Sequence, residues 1–519
     1  QSQGMGMEAL KNSKAAKEVW DRADRHTRAK LGFSVLEIVK NNPTEVVVKG
    51  EKFHHPKGVL FLTQFTQVAM ATLGVAQVAE MREAGALNQR AFFAGHSVGE
   101  YNALAAYAGV LSLESVVEIV YRRGLTMHRL VDRDAEGNSN YGLAALRPNK
   151  MGLTADNVFD FVANISKESG EFLEIVNYNL AGLQYAVAGT RAGLKALREA
   201  AEEMAPGQRA FIMIPGIDVP FHSSVLRDGV ADFRAHLDSL LPDTVDLDVL
   251  VGRYIPNLVA RPFELTREFV ESMEEVVSSP LLDEILADFD AAAKNEQKLA
   301  RTILIELLAW QFASPVRWIE TQDLALTTLG VDRFVEVGVG SAPTIANMMG
   351  QTLTLPQYAD VDIEVLNVER ERGVVFATDE VVREVATDVD EADDAAPAES
   401  APAAPEPASV TSAASAPTED GAFTAAPATG GPRPEDIPFT PADATEMLVA
   451  VWTKVRPDQM AATDSIETLV EGVSSRRNQL LLDLGVEFGL GAIDGAADAE
   501  LNDLKATVSR MAKGYTAFG

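Results

Sequence analysis

The chain has 519 residues, 47% of them hydrophobic, enough for a large core and at least two domains. It contains no Cys, which excludes disulfides, thiolate metal sites and Cys nucleophiles, and fits a reducing compartment. A net charge of −31 argues against a nucleic-acid or anionic-membrane surface, and no apolar run reaches membrane-spanning length.

The N-terminus, "QSQGMGMEALKNSK", has no signal-peptide pattern and no starting Met, so the chain reads as an internal piece of something longer. Residues 1–380 alternate short apolar runs with helical patterns. "GVLFLTQ" (58–64), "AFFAG" (91–95), "FIMIP" (211–215) and "RFVEVGVG" (333–340) read as strands. Stretches such as "SLESVVEIVYRRGLTMHRLV" (112–131) carry apolar residues at helical spacing. Strands alternating with helices predict an α/β domain with a mainly parallel sheet. Within it, "FLEIVNYNLAGLQYAVAGT" and "RAGLKALREAAEEMA" predict two strands and a helix of an inserted α+β subdomain, about 140–215.

Residues 381–435 form an acidic, Ala/Pro-rich linker. Within 388–434, nine acids face one Arg and Phe423 is the only aromatic. Such a segment buries too little apolar area to offset its ordering entropy, so it reads as a disordered tether. Its 47 residues would span roughly 40 Å as a flexible coil. Residues 436–519 read as a small helical domain. Thr440 is a candidate N-cap, Pro441 fits the first helical position, and Asp443 supplies the acid three residues on. Leu448, Val451, Trp452 and Val455 make one apolar stripe. Leu481, Leu484 and Phe488 make another within 474–488, and "ELNDLKATVSRMAKGY" gives a third helix.

The chemistry centres on Gly95-His96-Ser97-Val98-Gly99, between the apolar run 91–94 and a predicted helix over 98–109. Strand, tight turn and helix would lift the Ser97 hydroxyl out at the sheet end. The Val98 N–H, at the helix start, could donate to a developing oxyanion. By itself G-x-S-x-G is also an ordinary glycine-flanked turn. A Ser nucleophile needs a base, and the His residues are 26, 54, 55, 96, 128, 222 and 236. His96 adjoins the Ser, and neighbouring side chains in such a turn diverge. His54 and His55 sit in a polar loop. His222, in "PGIDVPFHSSVL", follows an apolar run and a turn, where a loop at a sheet end would start.

"AGHSVGEYNAL", "YRRGLTMH", "VPFHSSVL" and "QFASPVRW" occur in the order found in malonyl-CoA:carrier-protein acyltransferases. With "LTQFTQVAM", "VEVGVGSAP" and "RDAEGNSNYGLAALRP", residues 1–380 most resemble the malonyl/palmitoyl transferase domain of large bacterial (actinobacterial-like) and fungal type I fatty acid synthases. The resemblance implies an α/β-hydrolase-like parallel sheet core with an inserted ferredoxin-like subdomain. It implies Ser97 as nucleophile, His222 as general base, and Gln311 as the residue whose backbone carbonyl orients that His. It implies that Arg123 holds the malonyl carboxylate through two parallel donors, with the adjacent Arg122 solvated. His96 is the second candidate for substrate binding. The family's first strand and "GQG" turn, which supplies a second oxyanion donor, would lie upstream of this chain.

"TDSIETLVEGVSSRRNQLLLDLGVEFGLG" resembles the acyl carrier domain of the same synthases, an all-α bundle following the linker. There a Ser opening the second helix carries 4'-phosphopantetheine, which implies Ser474; Ser475 and Ser465 are the rivals. The absent Cys thiol would then be supplied by the prosthetic arm. The implied function is transfer of malonyl, and of palmitoyl, between CoA thioesters and that arm through an acyl-serine. The implied partners are malonyl-CoA, palmitoyl-CoA, a phosphopantetheinyl transferase and the ketosynthase, reductase and dehydratase domains of a large cytoplasmic homo-oligomer. The alternatives are a serine hydrolase or thioesterase, and a non-catalytic scaffold segment.

Overall fold

The computed structural model describes residues 2–134, 138–214, 216–341, 343–377 and 440–453, with shorter runs between 455 and 512. The chain divides into two compact units, 1–399 and 400–519. The expected linker, 381–435, lies outside the described residues.

In the first unit, the run "GVLFLTQ" is not a strand. One 3-10 turn at Val59–Phe61 leads into helix α1, Thr63–Glu83. Seven apolar-rich residues do not separate strand from helix, and α1 is buried along several faces, so it shows no amphipathic stripe. The run 91–95 gives the short strand β1, Phe93–Ala94, followed by helix α2, Val98–Ala106, three residues shorter than expected. Helix α3, Leu113–Arg129, starts where Ser112 accepts from the Ser115 N–H at 3.0 Å. Helices α1 and α3 pack backbone to backbone at Gly124. A Cβ there would lie 2.5 Å from Gln64 Cα, so only glycine permits this approach.

The insert is well defined. Strand β2 (Tyr141–Leu146), helix α4 (Val158–Ser169), strands β3 (Leu173–Leu180) and β4 (Gln184–Thr190), helix α5 (Arg191–Met204) and strand β5 (Phe211–Met213) follow in order. They form one antiparallel sheet ordered β3-β4-β2-β5, with Ala144 opposite Val187 and Ala145 opposite Ile212. One face packs Leu146, Ile175 and Val187 against Leu194 and Leu197 of α5. The insert is tied to the body along β3. Tyr178 N–H donates to Val316 O at 2.9 Å, Val316 N–H to Val176 O at 3.0 Å, and Ser224 Oγ to Glu174 at 2.6 Å.

The expected single parallel sheet is replaced, among the described residues, by two short parallel pairs. β1 pairs with β6 (Tyr254–Ile255), while β7 (Arg333–Glu336) pairs with β8 (Glu364–Asn367). Both β1 and β7 line one groove of about 970 Å³, through Phe93, Ala94, Phe334 and Val335 among others. Helix α6, Glu296–Gln311, runs through the core and ends at the site.

The second unit has its own core of Val449, Ile466, Val470, Leu480, Leu484, Phe488, Leu501, Leu504 and Val508. Helix α7, Pro441–Thr453, carries the expected capping box. Thr440 N–H donates to Asp443 Oδ2 at 2.8 Å, and Asp443 N–H to Thr440 Oγ1 at 3.3 Å. Its buried face differs from the expected stripe. Ala444, Val449 and Thr453 face inward, Leu448 and Trp452 are partly buried, and Val451 is 55% exposed. Small inward residues let α7 pack on α9, Leu501–Met511, whose first residue meets the chain just before α8, Ile466–Leu469: Leu501 N–H donates to Asp464 O at 2.6 Å. Leu480 rather than Leu481 is the fully buried partner of Leu484 and Phe488.

Candidate active site

Gly95 begins the turn after β1. A Cβ on it would sit 2.0 Å from the Gly99 carbonyl carbon, so no side chain fits. Ser97 then takes φ 56°, ψ −117°, a conformation that costs a non-glycine residue roughly 1–3 kcal/mol and needs external support. That support comes from two distant amides. Asn257 accepts from the Ser97 N–H at 2.8 Å and donates to Gly95 O at 2.6 Å. Gln311 Nε2 donates to Ser97 O at 2.6 Å. Val98 is the first residue of α2, where backbone N–H groups have no intrahelical partner.

Ser97 Oγ lies 2.7 Å from His222 Nε2, although 125 residues separate them. His222 is 3% exposed, also sits at positive φ (61°), and is fixed by its own N–H donating to Phe312 O at 3.0 Å. Its Nδ1 faces two carbonyls, Gln311 O at 2.9 Å and Ser314 O at 3.1 Å. Carbonyls only accept, so Nδ1 carries the proton and the Nε2 lone pair faces the Ser hydroxyl. Burial first, and the Arg123 charge second, push the His222 pKa down to about 3. The imidazole is thus uncharged at neutral pH and ready to accept. A base lowered in this way stays unprotonated as pH falls through the ordinary value of 6.5. With a neutral acyl thioester, the rate of Ser97 acylation is expected to stay level across that value in a pH–rate profile. An acid limb centred at 6.5 would contradict the buried-base geometry.

Arg123 on α3 is 2% exposed, while Arg122 is exposed, as expected. Arg123 Nη2 donates to Gln311 Oε1 at 2.8 Å and lies 3.3 Å from Ser97 Oγ; Nη1 donates to Gln67 Oε1 at 2.8 Å. Its carbon lies 5.3 Å from the centre of the Tyr101 ring. Burial lowers its pKa, with no carboxylate paired to it among the described residues. Beneath this layer Glu100, fully buried, accepts from Tyr254 OH, from Gln311 Nε2 at 2.9 Å and from Asn257 N–H at 3.2 Å. Burial pushes its pKa up to about 7 against the pull of these donors.

The structure therefore brings together Ser97, His222, Gln311, Arg123 and the Val98 N–H. His96 stands apart from the pair. Its Nε2 lies 2.9 Å from Asn179 Oδ1, and its ring meets Trp318 edge-on at 5.4 Å. His96 lines the 970 Å³ groove, whereas Ser97, His222 and Arg123 do not. Ser474 and Ser475 lie outside the described residues. Ser465 is described, as the N-cap of α8 in a capping box with Thr468. Sequence reasoning missed Gln67, Glu100, Asn257 and Ser314. Of these only Glu100 carried a local sign, as an acid in the first turn of a helix.

Residues 1–209 match the family model described as the acyl transferase domain. Within the first unit, this match to an acyl transferase domain includes Ser97, while His222, which contacts Ser97 Oγ at 2.7 Å, lies beyond the matched residues. The chain is 34% identical to "Fatty acid synthase 2" of Mycosarcoma maydis over 94% of its own length, and 33% identical to "Fatty acid synthase subunit beta" of Saccharomyces cerevisiae over 56%. It spans only 15% and 18% of those two proteins. The fold is shared with the malonyl-CoA–acyl carrier protein transacylases of Clostridium perfringens (22% identity, TM-score 0.51, 76% of this chain and 96% of that one) and Coxiella burnetii (20%, 0.52, 72% and 93%).

Proposed function

We propose that this chain is a segment of a bacterial-type or fungal-type I fatty acid synthase that moves malonyl, and palmitoyl, groups between CoA and a carrier-bound thiol. The observation that carries this reading is the 2.7 Å contact between Ser97 Oγ and a neutral, carbonyl-oriented His222, beside a buried Arg with no carboxylate partner among the described residues. Ser97 Oγ attacks the thioester carbonyl while His222 Nε2 takes its proton. The Val98 N–H donates to the oxyanion. The C–S bond breaks, His222 returns the proton to the departing CoA sulfur, and the acyl group remains on Ser97. A carrier thiol then attacks that ester by the same steps in reverse. A thiol leaves more readily than an amine, which suits a base supported by two carbonyls rather than an Asp.

In the second unit, the same reading places 4'-phosphopantetheine on Ser474 and takes the unit as an acyl carrier bundle. The arm supplies the thiol when attached. Two points support it. The similarity to the Mycosarcoma maydis protein covers 94% of the chain, more than the first unit holds. The rival Ser465 already serves as a helix cap. The insert, with its βαββαβ order, is read as ferredoxin-like. A tether between the units would raise the effective concentration of the thiol at Ser97.

The test uses the full chain after treatment with a phosphopantetheinyl transferase. Labelled malonyl-CoA is expected to leave label on an arm mapped to Ser474, and Ser97→Ala is expected to remove it. Fast release of free malonate with no labelled protein would favour a hydrolase. Labelling that persists in Ser97→Ala would favour a scaffold role.

A further inference from the structure

A buried guanidinium is normally neutralised by a carboxylate. Elsewhere even a partly buried guanidinium is paired in this way: Arg234 meets the fully buried Glu306, the second contact at 2.9 Å. Arg123 is treated differently. It is held by the oxygens of two neutral amides, Gln67 and Gln311, each at 2.8 Å. Each amide is locked by its other end. Gln67 Nε2 donates to Thr63 Oγ1 at 2.8 Å, and Gln311 Nε2 donates to Ser97 O and Glu100. Neither can rotate by half a turn without turning a donor toward the cation. Among the described residues, the buried Arg123 Nε–H has no hydrogen-bond partner. The cradle thus fixes the direction of the guanidinium without a direct ion pair, Glu100 acting on it only through space, and leaves the Nε–H and a second Nη1 N–H unused by these contacts.

We propose that Gln67 is a specificity-determining residue. Its neutral amide oxygen orients Arg123 without pairing with its charge, so the site favours acyl groups that bring a free carboxylate of their own. This rests on the acyl-transfer reading above. It assigns the preference not to Arg123 alone but to the neutrality of what holds it. α1 and α3 approach closely enough for this contact because Gly124 has no side chain.

The test is Gln67→Glu, nearly the same in shape. Its carboxylate can accept from Arg123 with one oxygen and from the Thr63 hydroxyl with the other. Acylation of Ser97 by malonyl-CoA and by palmitoyl-CoA is measured on the full chain. The ratio of malonyl to palmitoyl kcat/KM is expected to fall about 100-fold, mostly through the malonyl KM. Gln67→Met, which removes the holder without adding charge, is expected to lower the ratio about tenfold. If Gln67→Glu does not fold, Gln67→Met decides alone. Equal losses for both thioesters, or an unchanged ratio, would overturn the proposal. A parent protein that places neither acyl group on Ser97 would instead refute the acyl-transfer reading.

Discussion

Replacing His222 with Ala is expected to slow acylation of Ser97 by roughly 10³–10⁴-fold, the range a positioned general base contributes. Among the described residues, the hydroxyl at Ser97 has one basic partner in reach, the Nε2 at 2.7 Å. Its other neighbour, Arg123 Nη2 at 3.3 Å, can only donate. Without the imidazole, the Ser proton has no acceptor at the moment of attack, and the departing sulfur has no donor. His222 is buried, so the loss must be separated from a folding defect. The far-UV spectrum and the melting temperature of His222→Ala are the control, and a variant that keeps its fold yet acylates at the parental rate would remove His222 from the mechanism.

The second large effect concerns Arg123. Hydrogen bonds to charged groups contribute about 1.5–3 kcal/mol each, so two parallel ones to a malonyl carboxylate amount to about 3–6 kcal/mol. Arg123→Ala is accordingly expected to reduce malonyl-CoA acylation by roughly 10²–10⁴-fold. Palmitoyl-CoA offers no carboxylate to that position and is expected to change less than about tenfold. The charge of Arg123 also holds the His222 pKa down, so its removal makes the base more basic and does not weaken it. Steady-state kinetics with both thioesters separates these effects. Equal losses would mean that Arg123 only supports the structure.

What the sequence made legible was local. The elbow declares itself in five residues, because a tight turn between strand and helix needs Gly95 and exposes Ser97. The Thr440–Asp443 capping box is equally local and is found as expected. His222 could be named as a base only by its loop context and the family likeness; nothing in its neighbours encodes a contact 125 residues away. Asn257, Gln67 and Ser314 were not singled out: Gln67 and Ser314 lie inside the quoted stretches "LTQFTQVAM" and "QFASPVRW", but nothing local to any of the three encodes the distant partners they hold. Segment 58–64 misled for a related reason. Val59–Phe61 form a 3-10 turn whose Val59 and Leu60 are buried, and so short an apolar run carries no period that separates it from a strand. The α7 stripe failed because close helix packing prefers small side chains inward, so Ala444 and Thr453 took the places that larger residues were expected to fill.

The most direct measurement is to mix the full chain with malonyl-CoA, quench within one turnover, and map any covalent acyl group by peptide mass. The expected result is a malonyl ester on Ser97, absent from Ser97→Ala, that disappears when a thiol acceptor is added. An acyl group on any other residue, or free malonate formed while Ser97 stays unmodified throughout, would contradict the account.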